Sequence, residues 1–343
     1  MTFGSFESIC ETVGLPLCAL VGPYDGIGNV GIEPVCYSRT IEAANTIIFQ
    51  AASGFVHIGA LIMCLIMIFH VRSKFTAVGR KEITTFFYLF MVLTVLSLCL
   101  DSGVIPIGST AYAYFVAAQS GLTSAVCTCL LINGFIGFQV YEDGTTLSVW
   151  LLRSITIVMF LITGGVALGT FQGWAGLGPT KTTALFVLLY IVNALFLFIY
   201  VVCQILLVVG TLDQRWPLGD IAFGVIFFIG GQVVMYCFST KICEQVFHFL
   251  DGIFFASICN LLGVMMVYKY WDSITKEDLE FSVGTKTNVW EVKEHLLAEE
   301  DRRTTIYDHP GPSSDYGSST YHGSNRMSQQ YNFAEHQQPR QFQ

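Results

Sequence analysis

The chain contains 343 residues, of which 53% are hydrophobic and only 12% are charged. Soluble globular proteins carry about 25% charged residues, so this composition excludes an ordinary soluble domain. The formal net charge of −8 excludes the basic footprint of a nucleic-acid-binding protein, and we expect no nucleic-acid partner. The composition instead predicts that the chain resides in a lipid bilayer.

Residues 1–43 precede the first long apolar stretch. They lack the basic start and apolar core of a cleavable signal peptide. We therefore expect a distinct N-terminal segment, followed by a first span that acts as its own insertion signal.

Seven apolar stretches follow, and each is long enough to cross a bilayer as an α-helix. A spanning helix needs about 20 mostly apolar residues, whereas β-barrel strands alternate over about ten residues, and no such alternation occurs here. The predicted spans are residues 44–71, 83–104, 112–140, 149–171, 183–210, 219–239 and 245–268. The predicted fold class is an all-α integral membrane protein with a seven-helix transmembrane bundle, residues 44–269.

The distribution of Lys and Arg predicts the orientation of this bundle, because cytosolic loops are enriched in basic residues. Eight basic residues follow the odd-numbered spans, and three lie on the opposite side. The eight are Arg72, Lys74, Arg80, Lys81, Arg153, Arg215, Lys269 and Lys276, and the three are Arg39, Lys181 and Lys241. We therefore predict a lumenal N-terminus and a cytosolic C-terminus.

Four of the eleven cysteines lie on the predicted lumenal side, where conditions are oxidising. They are Cys10, Cys18 and Cys36 in the N-terminal segment and Cys243 between the last two spans. Disulfides form in such compartments, and four cysteines allow three connectivities. We expect at least one bond among them. A bond from Cys243 would fasten the N-terminal segment over the sixth and seventh spans.

Glycines recur at four-residue intervals in the fourth span, at Gly165, Gly169 and Gly173. Two overlapping G-x-x-x-G units of this kind let helix backbones approach closely. The pattern has two interpretations, which are packing inside the bundle and contact with a helix of a membrane partner.

Ionisable residues lie near the lumenal ends of three predicted spans. Asp101 ends the second span, while His248 and Asp251 begin the seventh, three residues apart and so on one helical face. His57 lies within the first span. Charges are costly at the bilayer centre and less so at its boundary. We interpret these residues as a hydrogen-bonded cluster that holds helix ends together, with a proton relay as the alternative.

Motifs for catalysis and metal binding are not found. The histidines are not spaced from cysteines or carboxylates as metal ligands are, and no G-x-S-x-G element occurs. We therefore predict no catalytic residues, no cofactor and no metal site. A seven-span receptor or a transporter remains an alternative class. The absence of an acidic-Arg-aromatic triplet after the third span disfavours a receptor, and the absence of proline from span interiors disfavours a transporter.

The sequence after the seventh span divides in two. Residues 270–303 are predicted to form a cytosolic juxtamembrane segment, with a short amphipathic helix at 290–297. Residues 304–343 are rich in Ser, Gly, Pro and Gln and poor in aliphatic side chains, which predicts a disordered cytosolic tail.

A colinear series of short segments resembles the fungal chitin synthase export chaperones. The resemblance covers roughly residues 3 to 283 and stops in the tail. Its segments include Ile9-Cys10, Leu15-Pro16-Leu17-Cys18, Cys36-Tyr37-Ser38-Arg39, Thr76-Ala77-Val78-Gly79-Arg80, Glu142-Asp143-Gly144-Thr145-Thr146 and Phe238-Ser239-Thr240-Lys241-Ile242-Cys243-Glu244. The resemblance implies a multispanning protein of the endoplasmic reticulum membrane that binds a chitin synthase and permits its export to the cell surface. It implies no catalytic residues.

Overall fold

The structure, a computed structural model, describes residues 4–24, 30–43, 46–75, 77–138, 145–174, 176–211 and 215–275. These residues include seven helices long and apolar enough to cross a membrane. The helices are Ala51–Ser73, Arg80–Asp101, Thr110–Ile136, Thr146–Gln172, Thr183–Gly210, Trp216–Gln245 and Gly252–Thr275, and are called the first to seventh spans. The predicted seven-helix fold is confirmed, and the chain is a multi-pass membrane protein. A helix pairs its backbone N–H and C=O groups with each other, and the hydrocarbon core of a bilayer offers these groups no other partner.

The first span begins at Ala51 and not at residue 44, because the residues before it form a small antiparallel hairpin. Strand β1 (Ile41–Ala43) pairs with strand β2 (Thr46–Ile48), and Ile41 lies opposite Ile48. The second strand is apolar and β-branched, which favours a pleated strand. Its apolar character made it resemble the start of a spanning helix in the sequence.

The seventh span begins at Gly252 and not at residue 245. Phe247 and His248 have φ angles of 55° and 64°, which a right-handed helix does not permit. Asp251 then caps the new helix, since its Oδ1 accepts a hydrogen bond from the backbone N–H of Phe254 at 3.1 Å. Asp251 therefore acts as an N-cap.

Other predicted span ends also differ from the structure. The second span is Arg80–Asp101 and not 83–104, and the sixth is Trp216–Gln245 and not 219–239. The sixth span therefore includes Cys243, which was predicted to lie between the last two spans. The third span ends at Ile136, just before Gly137, and not at residue 140. The seventh continues to Thr275, beyond the predicted end of the bundle at 269. The rest of the predicted segment 270–303, the helix at 290–297 and the tail 304–343 lie outside the described residues.

The fifth and sixth spans each contain a π-helical segment, at Val187–Val192 and Val234–Phe238. Such wide turns occur frequently at functional sites. The two segments contact each other through one tyrosine apiece, as the hydroxyl of Tyr236 donates a hydrogen bond to that of Tyr190 at 3.0 Å. Nothing in the sequence distinguishes these turns from regular α-helix.

Two groups of buried side chains lie at opposite ends of the bundle. One group joins the N-terminal residues to the ends of the spans. We call residues 4–24 and 30–43 the cap segment. The end of the bundle that they contact is called the capped end. The other includes Phe86, Phe87, Leu152 and Trp271. It lies towards the loop at residues 74–79, and we call that end the basic end.

Candidate functional site at the capped end

The cap segment is packed into the ends of the spans. Phe6, Cys10 and Val21 are at most 2% exposed, and they belong to one cluster with Tyr112 of the third span and Leu185 of the fifth. Burying large apolar side chains in this way stabilises their position by about 1.5–3 kcal/mol each. The segment is therefore a folded part of the protein.

Hydrogen bonds fix the cap segment at three separate points. The hydroxyl of Thr182 donates to the carbonyl of Gly4 at 2.8 Å, and that of Tyr112 donates to the carbonyl of Pro16 at 3.0 Å. The backbone N–H of Gly22 donates to the carbonyl of Pro179 at 3.0 Å. The cap segment thus contacts the third span and the connection between the fourth and fifth.

The four predicted cysteines are joined in two pairs. Cys10 is bonded to Cys18, eight residues away, and Cys36 is bonded to Cys243, 207 residues away. The first bond closes a loop inside the cap segment. The second, which we call the clasp, ties the cap segment to the end of the sixth span. A bond that closes a long loop restricts the unfolded chain more than one that closes a short loop.

We expect peptide mapping of the unreduced protein, alkylated before digestion, to recover both linked pairs. A Cys36→Ser variant should leave Cys243 as a free thiol, because its partner is gone, while Cys10 stays linked to Cys18. Alkylation of all four wild-type cysteines without a reductant would show that neither bond forms.

The structure places the predicted polar residues in three different settings. Asp101 is the last residue of the second span, and its Oδ2 lies 2.9 Å from Nε2 of His57 in the first span. Asp251 is buried at the start of the seventh span, and His248 is exposed in the turn before it. The prediction that His248 and Asp251 share one helical face is wrong, because neither residue lies within that helix.

Burial raises the pKa of the Asp251 carboxyl above its ordinary value, and the nearby charge of Asp101 adds to this effect. The folded protein therefore binds a proton at Asp251 more tightly than the unfolded chain does. A raised folded-state pKa means that the free energy of unfolding falls as the pH rises through that pKa. The free energy of unfolding is therefore lower at neutral pH than in acid, as far as Asp251 contributes to it.

An Asp251→Asn variant is expected to have a higher thermal midpoint than the wild type at neutral pH. Asparagine can still accept the hydrogen bond from Phe254, but it carries no charge. The difference should shrink as the pH is lowered, because wild-type Asp251 is then protonated. Glu244→Gln is the control, since it makes the same chemical change at an exposed carboxyl, and surface substitutions of this kind change stability little. A lower midpoint for Asp251→Asn at neutral pH would contradict this prediction.

His248 contacts both sulfur atoms of the clasp. Its Nδ1 lies 3.2 Å from Sγ of Cys36 and 3.6 Å from Sγ of Cys243. The sequence did not predict this grouping, because more than 200 residues separate His248 from Cys36. The two sulfurs are bonded to each other, so neither is a thiolate available to a metal ion.

The three predicted glycines of the fourth span have different surroundings. A Cβ atom added at Gly165 would meet no atom within 4 Å, whereas one at Gly169 would lie 3.3 Å from Cδ1 of Leu177. Gly173 follows the last residue of the helix with a φ of 73°, a conformation that favours glycine. Of the three, Gly165 alone leaves an open notch on the outer face of the span.

Other glycines form the contact between the third and fourth spans. A Cβ atom added at Gly121 would lie 2.8 Å from the backbone oxygen of Phe160, and one at Gly164 would lie 3.4 Å from that of Ala117. Close approach of two helix backbones requires small residues at such positions. This contact was not predicted from the sequence, because Gly164 lies outside the four-residue series of Gly165, Gly169 and Gly173 in the same helix.

The basic end is also closed by contacts that the sequence did not predict. Lys74, in the loop after the first span, forms an ion pair with Asp272 near the end of the seventh. The indole N–H of Trp271 donates a hydrogen bond to the carbonyl of Val78 in the same loop at 3.1 Å. The first loop and the last span are thereby joined.

The fold and site together define a class: a seven-span membrane protein whose N-terminal cap is tied to the sixth span. The chain matches the family described as chitin synthase export chaperone over residues 2–285. It therefore belongs to the chitin synthase export chaperone family, which is a family of chaperones and not of enzymes.

Curated relatives that bear this name are similar over most of their length. The relative from Fusarium oxysporum f. sp. lycopersici is 66% identical over 89% of this chain and 91% of its own. The relative from Neurospora crassa is 62% identical over 97% and 94%, and that from Aspergillus fumigatus is 64% identical over 94% and 97%. No solved structure is significantly similar to the chain.

Proposed function

We propose that this protein binds a chitin synthase in the endoplasmic reticulum membrane and permits its export to the cell surface, where the synthase supports deposition of wall chitin. The observation that carries the proposal is the family match over residues 2–285, together with relatives of the same name that align over nearly their whole length. Such a chaperone resides in the membrane into which its client is first inserted.

The proposed orientation places the cap segment in the lumen and the basic end in the cytosol. The loop that follows the first span supports it, since Arg72, Lys74, Arg80 and Lys81 lie in or beside this loop and basic residues favour the cytosolic side. The proposed organisation is a lumenal segment at 1–43, a transmembrane domain, a cytosolic juxtamembrane segment to 303 and a disordered tail at 304–343.

Engineered glycosylation sites test this orientation. An acceptor placed near Pro23 is expected to be modified, because glycosylation takes place in the lumen, and one placed near Ser314 is expected to remain unmodified. The readout is a glycosidase-sensitive shift in gel mobility. Modification near Ser314 without modification near Pro23 would show that the orientation is the opposite of the proposed one.

The proposed client contact is the outer face of the fourth span around Gly165. Two multispanning proteins associate in lipid through close packing of small residues and interhelical hydrogen bonds, because apolar burial contributes little there. Gly165 has no neighbour within 4 Å of an added Cβ, so a helix of another protein can approach its backbone. Leu161 and Ile162, one turn earlier, are exposed on either side of this approach.

Purification from mild detergent tests the proposed function. An affinity-tagged form of this protein should co-purify a chitin synthase, and an abundant multispanning protein of the same membrane that is not a client should be absent. Equal recovery of both would indicate non-specific association. Recovery of neither, from membranes in which the synthase is present, would contradict a direct contact.

A further inference from the structure

The clasp differs from the other disulfide in having an imidazole in contact with its sulfurs. His248 is exposed, whereas Cys36 and Cys243 are 3% and 0% exposed. The nitrogen Nδ1 lies 3.2 Å from Sγ of Cys36, which is close enough for direct proton transfer. An acid–base group at the surface therefore contacts a covalent bond that is almost wholly covered.

The bond between Cys10 and Cys18 provides an internal comparison. Both residues are also buried, but the polar neighbour of Cys18 Sγ is the backbone oxygen of Val13 at 3.7 Å. A carbonyl cannot supply a proton to a departing thiolate. The two bonds are thus matched in burial and differ in the group beside the sulfur.

We propose that Cys36, Cys243 and His248 form a thiol–disulfide exchange site, at which a dithiol such as that of a Cys-x-x-Cys oxidoreductase opens and closes the clasp. An imidazole can gain or lose a proton near neutral pH, and exchange is faster when the leaving sulfur is a better leaving group. His248 acts here as the acid for the departing sulfur and as the base for the reverse reaction.

The atoms and electrons of this step balance. A thiolate of the dithiol attacks Sγ of Cys243, and the bond between Cys243 and Cys36 breaks. Cys36 Sγ leaves with the electron pair and takes the proton from Nδ1 of His248. The second thiol of the reagent then attacks the mixed disulfide and releases Cys243 as a thiol, so that two electrons pass to the clasp and the reagent leaves as a disulfide.

The contacts of His248 hold Nδ1 as a proton donor. The carbonyl oxygen of Tyr37 lies 3.4 Å from Nδ1 and can only accept, while the backbone N–H of Arg39 donates to the carbonyl of His248 at 2.7 Å and fixes the turn. The charged side chains on the adjoining elements are Arg39, Lys241, Glu244 and Asp251. Backbone groups of Tyr37 and Arg39 thus hold the ring nitrogen and the main chain of His248, respectively.

Opening the clasp releases the covalent tie between the cap segment and the end of the sixth span. The Cys10–Cys18 loop and the buried side chains of residues 6–21 would stay in place. Whether residues 36–43 are covalently attached to the sixth span would thus depend on the thiols in the surrounding compartment. This proposal does not rest on the identity of the client.

The test measures the opening rate of each disulfide in the full-length protein in detergent. Samples are treated with dithiothreitol, quenched by alkylation at successive times, and mapped by mass spectrometry at several pH values. We expect the clasp to open faster than Cys10–Cys18. His248→Gln should slow clasp opening by about tenfold or more, since positioned acid–base groups contribute about 10²–10⁴, and should leave the Cys10–Cys18 rate unchanged.

The pH profile separates acid–base chemistry from altered packing. Per attacking thiolate, the wild-type rate should depend on pH, and the His248→Gln profile should be flat, because glutamine cannot transfer a proton. The matched control is Phe247→Ala, which changes the same turn at an exposed residue and should retain the wild-type rate. Equal rates for the two disulfides, an unchanged rate in His248→Gln, or equal slowing in Phe247→Ala would each overturn the proposal.

Discussion

Gly121→Leu is expected to remove most of the folded protein. An added Cβ atom alone would lie 2.8 Å from the backbone oxygen of Phe160, and a backbone atom cannot move aside as a flexible side chain can. Overpacking of this kind costs about 1–3 kcal/mol and sometimes more, against a total stability of about 5–15 kcal/mol. Losses of about 1–2 kcal/mol can change cellular abundance several-fold. The measurement is the yield of monodisperse protein after extraction, together with its thermal midpoint.

Gly165→Leu is the matched control for this prediction. It makes the same chemical change in the facing helix, and both variants gain helix propensity, but no atom lies within 4 Å of an added Cβ at Gly165. We therefore expect wild-type yield and thermal midpoint for Gly165→Leu. An equal loss of yield and thermal midpoint in both variants would show that the close contact of Gly121 with the fourth span is not the cause of the loss.

In cells, Gly165→Leu is expected to retain the chitin synthase in the endoplasmic reticulum while the chaperone itself remains abundant. A leucine would fill the notch that the client helix is proposed to occupy, and a cost of about 1.4 kcal/mol already weakens binding tenfold. The measurement is the amount of synthase recovered with the tagged chaperone and its surface fraction by imaging.

The control for the export prediction is Gly59→Leu in the first span. Gly59 also has no neighbour within 4 Å of an added Cβ, but it lies on a different helix. Export should be normal in this variant. Normal export in Gly165→Leu would place the client contact elsewhere, and loss of export in both variants would indicate a general effect of bulk on the outer surface.

The sequence predicted the number and type of spans because hydrocarbon imposes one simple requirement on the backbone. Helices satisfy their own hydrogen bonds, so long uncharged stretches identify them. Span ends were less predictable, because local geometry decides them. Residues 46–48 are as apolar as the helix that follows yet pair as a strand, and the reversal at Phe247 and His248 depends on backbone angles that composition does not encode.

The candidate site was predictable as a group of residues and not as a set of contacts. An even number of predicted spans separates Cys243 from the N-terminal cysteines, which predicted that all four lie at the same end. The pairing of Cys36 with Cys243, however, depends on how the cap segment folds over the spans. The contact of His248 with these sulfurs and the pairing of two π-helical segments through Tyr190 and Tyr236 likewise require three-dimensional packing. Gly165 and Gly169 share a spacing in sequence but differ in space, because Leu177 covers only the second.

The most direct test of the proposed function is the surface fraction of a fluorescently tagged chitin synthase in cells that lack this chain. We expect the synthase to accumulate in the endoplasmic reticulum in these cells and to return to the cell surface when the gene is restored. Normal delivery of every chitin synthase to the surface in the absence of this chain would contradict it.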